Sequence, residues 1–312
     1  MNAWRGLTIT CAGAAERSSR HFTVAVRRPG DVRRYAAEGH GQVTFASSCM
    51  KDVIVNTLIE RFDRPDVEAI AFMGSYARGD AGPYSDVDLA RFISEPSGHR
   101  AEVRSHLIDG YLVVVSDIRP ATVEDWFSLP EAASKVMGGL RSARPLLDRD
   151  GTFAHIQARA RSFAWDASMQ QKADVWASRQ MVGWIEEVHK GLEGLRRNDL
   201  GRLLNSRHGR SWGLSQVMQV QRGVLLSGDN AFYDEVAEAV GWDSEWERLR
   251  RTAFGAARRD EVMPTLHDQV VAGLCLYVLT AELLAGALQP EDKPLVTDTI
   301  NLIRHALKEA AA

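Results

Sequence analysis

The chain is poor in cysteine and has no long hydrophobic run. Its 312 residues include three cysteines, Cys11, Cys49 and Cys275. No two of them have a metal-ligand spacing and their number is odd, so we expect a reducing, cytoplasmic compartment. The longest apolar stretch, "VVAGLCLYVLTA" at 270–281, is too short to cross a bilayer and predicts a buried helix. The first twenty residues also lack the apolar core of a secretory signal.

Neither sign of charge is in large excess. The chain has 38 Lys and Arg against 41 Asp and Glu, which gives a net charge of -3. This balance argues against nucleic acid as a partner and is compatible with a cationic or metal-bound small ligand. With 45% hydrophobic and 25% charged residues, the composition is that of an ordinary globular protein, and the length allows two domains.

The chain is predicted to have three parts. Residues 1–49 are rich in Arg, Gly and Ser, and two interpretations stay open: a poorly ordered extension, or a short subdomain with strands at "HFTVAVRR" and "GQVTFA". Residues 50–151 begin with the helical pattern "MKDVIVNTLIERF" and continue as strands and turns, with a hairpin signal at Asp109-Gly110. Residues 152–312 have a helical periodicity. We therefore expect an α+β fold: a mixed sheet with helices, followed by an all-α bundle.

The segment "MGSYARGDAGPYSDVDLARF" at 73–92 carries the clearest chemistry. Gly74 follows a predicted buried strand, where it allows a sharp turn and the close approach of a ligand. Ser75 and Arg78 then offer a hydroxyl and a charged donor to phosphate groups. Asp86 and Asp88 are two residues apart on a predicted strand, so their carboxylates lie on one face and repel each other. A hard cation such as Mg²⁺ would relieve this repulsion.

This pattern resembles the signature of the nucleotidyltransferase superfamily that includes DNA polymerase β. Met73-Gly74-Ser75 is followed by ten residues and then by Asp86-Val87-Asp88-Leu89. The layout with a helical C-terminal domain is most similar to aminoglycoside and other small-molecule adenylyltransferases. The resemblance implies a Mg²⁺-dependent transfer of a nucleoside monophosphate, AMP from ATP, to a hydroxyl of a small molecule. It also implies that Asp86 and Asp88 bind the metal and act in catalysis, and that four residues bind the nucleotide: Gly74, Ser75, Arg78 and Ser85.

The superfamily usually has a third carboxylate in the middle of a following strand, where this chain has "YLVVVSDI". Asp117, near the end of that strand, is one candidate and would bind metal. Glu187, in the helical segment "WIEEVHKGLEGLRR", is the favoured catalytic base, and an empty third position stays open. An empty position would favour a nucleotide-binding regulator or antitoxin without turnover. A transferase acting on a protein or RNA, and a homodimer, also stay open, and the arginines of "RLRR" at 248–251 are expected at a solvated helix end.

Overall fold

The computed structural model describes residues 52–94, 102–257 and 261–311. All of them lie in one unit that spans residues 46–312. Residues 1–49 lie outside the described residues, so both interpretations of this segment stay predictions.

The described strands form one five-stranded mixed sheet. They are β1 Val67–Phe72, β2 Val87–Ile93, β3 Val103–Ile108, β4 Tyr111–Ile118 and β5 Arg144–Asp148, in the order β3-β4-β2-β1-β5. The β2–β4 pair is parallel and the other pairs are antiparallel. The predicted hairpin is confirmed, because Asp109 and Gly110 join β3 to β4 with φ of 49° and 84°, the backbone that a two-residue turn requires.

Helices cover both faces of the sheet. Helix α1 (Asp52–Phe62) packs on the face that carries Val87 and Leu89. The opposite face carries Ala90 and Phe92, which share a core with α3 (Pro120–Ser128), α4 (Pro130–Ser142) and α5 (Thr152–Ser162). Helix α5 therefore packs with the sheet, although the predicted domain boundary lies just before it. The short helix α2 (Gly74–Arg78) follows β1 directly.

The rest of the described chain is helical, as predicted. Its helices are α6 Ala167–Gly183, α7 Ile185–Arg197, α8 Leu200–Gln221, α9 Phe232–Val240, α10 Glu245–Phe254, α11 Leu266–Leu283 and α12 Lys293–Ala311, with a 3-10 turn at Asp229–Ala231 before α9. Among the described helices, α11 alone is long and apolar enough to cross a membrane by length and composition. It packs against α8 and α10, and its Leu274, Leu276 and Tyr277 are fully buried, as expected of a core helix.

Candidate active site

The turn after β1 is packed directly against the second aspartate of the Asp-Val-Asp sequence. Gly74 has a φ of 61°, a conformation that glycine adopts without steric cost. A β-carbon at this position would lie 3.3 Å from Cγ of Asp88 and closer still to its Oδ2. The Met73 N–H donates to the Asp88 carbonyl at 2.9 Å. The glycine therefore allows the chain to turn beside the Asp88 carboxylate.

Asp88 lies in a strongly acidic environment. Burial raises the pKa of its carboxyl group, the charges of Asp86 and Asp229 raise it further, and Arg78 opposes them. Asp229 begins the 3-10 turn before α9. Asp88 in β2 is thus influenced by the charge of Asp86, directly before β2, and by that of Asp229 in the helical part of the chain. Sequence reasoning missed Asp229, whose only local signal is the polar break "SGDN" between two helical segments.

Several contacts hold the loop that carries Asp229 next to α2 and α4. Arg78 donates from Nη1 to the Ser227 carbonyl at 3.2 Å and from Nε to Asp80 at 3.2 Å. The Leu226 N–H donates to the Ser134 carbonyl of α4 at 2.9 Å. Within the loop, Glu235 accepts hydrogen bonds from the Ser227 N–H and hydroxyl at 3.1 and 2.6 Å. These contacts place Asp229 beside β2 although the two are far apart in sequence.

The predicted nucleotide-binding residues differ in their availability. No described residue hydrogen-bonds to the Ser75 hydroxyl, which stays free to bind a ligand. The Ser85 hydroxyl instead accepts the Gly82 N–H at 2.9 Å and closes the turn before β2. Arg78 lies near Asp88 but is already held by Asp80 and Ser227, so binding phosphate would require it to exchange these partners.

The structure does not bring Asp117 to the two aspartates. In the parallel β2–β4 pair, Asp117 is opposite Arg91, whereas Val114 is opposite Asp88. Paired residues share a face, so Asp117 projects from the face opposite to Asp88. Its side chain is 2% exposed and accepts a 2.7 Å hydrogen bond from Arg91. Asp117, a predicted candidate metal ligand, therefore lies on the opposite face of the sheet from Asp88, and its carboxylate is engaged in an ion pair with Arg91.

Glu187 also has partners of its own, all in the helical part of the chain. Its Oε1 accepts a 2.7 Å hydrogen bond from Lys190, and its side chain packs beside Gly209 of α8. Its charge acts on Arg210, a fully buried side chain whose pKa is lowered by burial. Among the described residues, the charges that act on Asp88 are those of Asp86, Asp229 and Arg78, and the charge of Glu187 is not one of them.

The acidic residues suit a hard divalent cation in their chemistry. Carboxylate oxygens are the ligands that Mg²⁺ prefers, and the mutual repulsion that raises the pKa of Asp88 is what a cation would relieve. No group of three or more His, Cys, Asp or Glu side chains is arranged to hold a metal in the part of the chain that the structure describes. Asp86 and Asp88 are the two side chains that could hold such an ion.

Part of the chain matches a known protein family. Residues 54–135 match the family model described as "Nucleotidyltransferase domain". No curated protein matches the chain. Among solved structures, a nucleotidyltransferase-like protein from Exiguobacterium sibiricum 255-15 is similar with 12% identity and a TM-score of 0.42, over 74% of this chain and 77% of that one. The family match, on the segment that holds Gly74, Asp86 and Asp88, places this domain of the chain in the nucleotidyltransferase superfamily.

Proposed function

We propose that the protein is a Mg²⁺-dependent nucleotidyltransferase that moves AMP from ATP to a hydroxyl group of a small molecule. The observation that carries this proposal is the close packing of the Gly74 turn against Asp88, a carboxylate on which the charges of Asp86 and Asp229 both act. A site of this kind can bind a nucleotide on the sheet and an acceptor against the helical part.

The residues of the Gly74 turn would hold the nucleotide. Gly74 lets the turn lie directly against the Asp88 carboxylate, so phosphates held at the turn would lie close to the metal. The free Ser75 hydroxyl and the Arg78 guanidinium add donors, and a guanidinium matches the geometry of phosphate oxygens. Asp86 and Asp88 would hold Mg²⁺, which when bound neutralises phosphate charge.

The reaction forms one phosphorus–oxygen bond and breaks another. The acceptor oxygen attacks the α-phosphorus, the bond from that phosphorus to the bridging oxygen of the β-phosphate breaks, and pyrophosphate leaves with the electron pair. The proton of the acceptor hydroxyl must pass to a base within hydrogen-bond reach. We assign this role to Asp229, because it is exposed and contributed by the helical part.

A nucleotide-binding regulator without turnover is the second candidate. It is favoured by one observation: the β4 residue opposite Asp88 is Val114, where the superfamily usually has its third carboxylate. If Asp229 does not replace that carboxylate, nucleotide binding would persist without transfer. A protein or RNA acceptor is a further alternative, and the net charge of -3 counts against RNA.

The decisive experiment measures ATP binding to the full chain by calorimetry, in Mg²⁺ and in EDTA. Asp86→Asn and Asp88→Asn should abolish Mg²⁺-dependent binding. Asp88→Asn should leave the thermal midpoint unchanged or raise it, because it removes a partly buried charge on which two like charges act. Asp109→Asn is the matched control: it removes the same charge from a turn whose backbone asparagine also adopts.

Pyrophosphate release with a panel of hydroxylated acceptors separates the two candidates. Transfer by the wild type that is lost in both aspartate variants supports the enzyme. Tight, Mg²⁺-dependent ATP binding without release from any acceptor supports the regulator. Equal ATP affinity in Mg²⁺ and in EDTA would refute the metal site and with it the proposed function.

A further inference from the structure

A second concave site lies on the other face of the sheet. It is a cavity of about 430 Å³ at the C-terminal end of α1, where Arg61, Arg64 and Phe62 meet side chains from β2 and β3. The wall on the sheet side is formed by Arg91, Arg104 and His106. Its volume lies in the range of small-molecule binding sites. We call these six residues the arginine pocket.

The strand register separates this pocket from the Gly74 turn. Arg104 and His106 of β3 are opposite Val115 and Val113 of β4, and Arg91 of β2 is opposite Asp117. All of them project from the face that α1 covers, because paired residues share a face. Asp88, which alternates with Leu89 along β2, projects from the other face. A ligand in the arginine pocket would therefore not share the site built around Asp88.

The pocket presents more positive than negative charge to solvent. Arg64 forms a bidentate pair with Asp66 at 3.0 and 3.1 Å, and Arg91 pairs with Asp117. The side chain of Asp117 is only 2% exposed, so the guanidinium groups rather than that carboxylate face the cavity. Arg61 has no carboxylate partner among the described residues.

Arg104 completes the positive surface of the pocket. Its side chain is 67% exposed and is paired with Glu102 at the rim. Four guanidinium groups line the cavity, and three of them are paired with Asp66, Asp117 and Glu102. The charge of Arg61 is not balanced in this way, so an anion that binds between the guanidinium groups would neutralise the remaining positive charge.

The shape and chemistry of the pocket select a class of anion. Guanidinium groups bind phosphate oxygens in a bidentate manner. The ring of Phe62 lies 5.1 Å from that of His106, centroid to centroid, and gives the pocket an aromatic floor. A nucleic-acid surface would need a basic stripe, and the chain has a net charge of -3. The geometry points to a second ligand site in the arginine pocket, which binds a small phosphate compound without a metal ion.

Binding of AMP and of pyrophosphate to the full chain, measured by calorimetry in EDTA, tests this assignment. The variant Arg61→Ala/Arg104→Ala removes the two most exposed guanidinium groups of the pocket and leaves the ion pairs of Arg64 and Arg91 intact. The matched control is Arg144→Ala/Arg248→Ala, which removes the same charge from exposed positions on β5 and α10. We expect the pocket variant to raise the Kd at least about tenfold, equivalent to ~1.4 kcal/mol, and the control to leave it unchanged.

Two further binding measurements distinguish phosphate binding in the arginine pocket from binding elsewhere. Binding in EDTA should persist in Asp86→Asn/Asp88→Asn, and adenosine, which lacks the phosphate, should not bind. Equal weakening by the pocket and control variants would show a general charge effect and overturn the proposal. So would the absence of AMP and pyrophosphate binding in EDTA, or tighter binding of a single-stranded oligonucleotide than of either, which would indicate a nucleic-acid surface.

Discussion

Gly74 and Asp88 pack so closely that a β-carbon at position 74 would lie 3.3 Å from Cγ of the aspartate. The contact joins the turn that would receive phosphates to the carboxylate that would hold the metal. Both halves of the proposed nucleotide site therefore depend on one residue having no side chain.

Gly74→Ala should lower the free energy of unfolding and abolish Mg²⁺-dependent ATP binding. The alanine would be strained at a φ of 61° and would displace the Asp88 carboxylate. Gly79→Ala is the matched control, because Gly79 also has a positive φ, 85°, but has nothing within 4 Å of its β-carbon position. Gly79→Ala should cost only the strain, about 1 to 2 kcal/mol, and keep ATP affinity. Equal effects of the two variants on ATP affinity would contradict the role of the Gly74–Asp88 contact.

Asp229→Asn should reduce nucleotidyl transfer by about a hundredfold or more while ATP affinity is kept, the scale on which a general base contributes. Glu187→Gln should instead lower the thermal midpoint, because Glu187 faces the fully buried Arg210, and transfer per folded molecule should stay the same. Both expectations are tested by measuring the nucleotidyl-transfer rate and the thermal unfolding midpoint of each variant. The reverse result, with transfer lost only in Glu187→Gln, would identify Glu187 as the base.

The local part of the site could be predicted from the sequence, because its determinants are close together in the chain. A buried strand, a glycine and the alternation of Asp86, Val87, Asp88 and Leu89 define the geometry of β1, α2 and β2 without reference to distant residues. The same holds for the hairpin at Asp109-Gly110, where the turn residues alone specify the connection.

The remaining carboxylates depend on register and tertiary packing. The face of Asp117 follows from which β4 residue pairs with Asp88, and a strand's sequence does not state its partner's register. The charge of Asp229 acts on Asp88 because tertiary contacts made by Arg78, Ser134 and Glu235 position the loop before Asp229. Local charge does not reveal such contacts.

Gly213→Ala should destabilise the protein although alanine favours helices. A β-carbon at Gly213 in α8 would overlap the indole ring of Trp184, and overpacking of this kind costs about 1 to 3 kcal/mol. Gly201→Ala, in the first turn of the same helix, is the matched control. Its β-carbon would lie 3.5 Å from the nearest atom, a side-chain oxygen of Asp199, so the substitution should be neutral or stabilise by up to about 1 kcal/mol. Urea unfolding of both variants measures the difference, and destabilisation by both would contradict the packing argument.

Arg250 is buried in the helical part, although the "RLRR" sequence around it predicted a solvated helix end. Its side chain is fully buried and forms a 2.8 Å ion pair with Glu247, which is 1% exposed. Its Nε donates to the Ser215 hydroxyl at 2.8 Å, and its guanidinium lies 4.2 Å from the centroid of the Tyr233 ring. The prediction failed because aromatic residues from α9 and α10 enclose this arginine, and their positions depend on tertiary packing.

Arg250→Ala should therefore lower the free energy of unfolding by about 3 to 5 kcal/mol, because it leaves the Glu247 charge buried without its partner. The double variant Arg250→Met/Glu247→Leu should recover more than half of that loss, since no charge then remains to be desolvated. Arg248→Ala is the control on the same helix: its exposed side chain should contribute less than about 0.5 kcal/mol. Urea unfolding of the three variants measures these changes in the free energy of unfolding. A double variant no more stable than Arg250→Ala would show that packing and hydrogen bonds of the arginine, rather than the unpaired charge of Glu247, account for the loss.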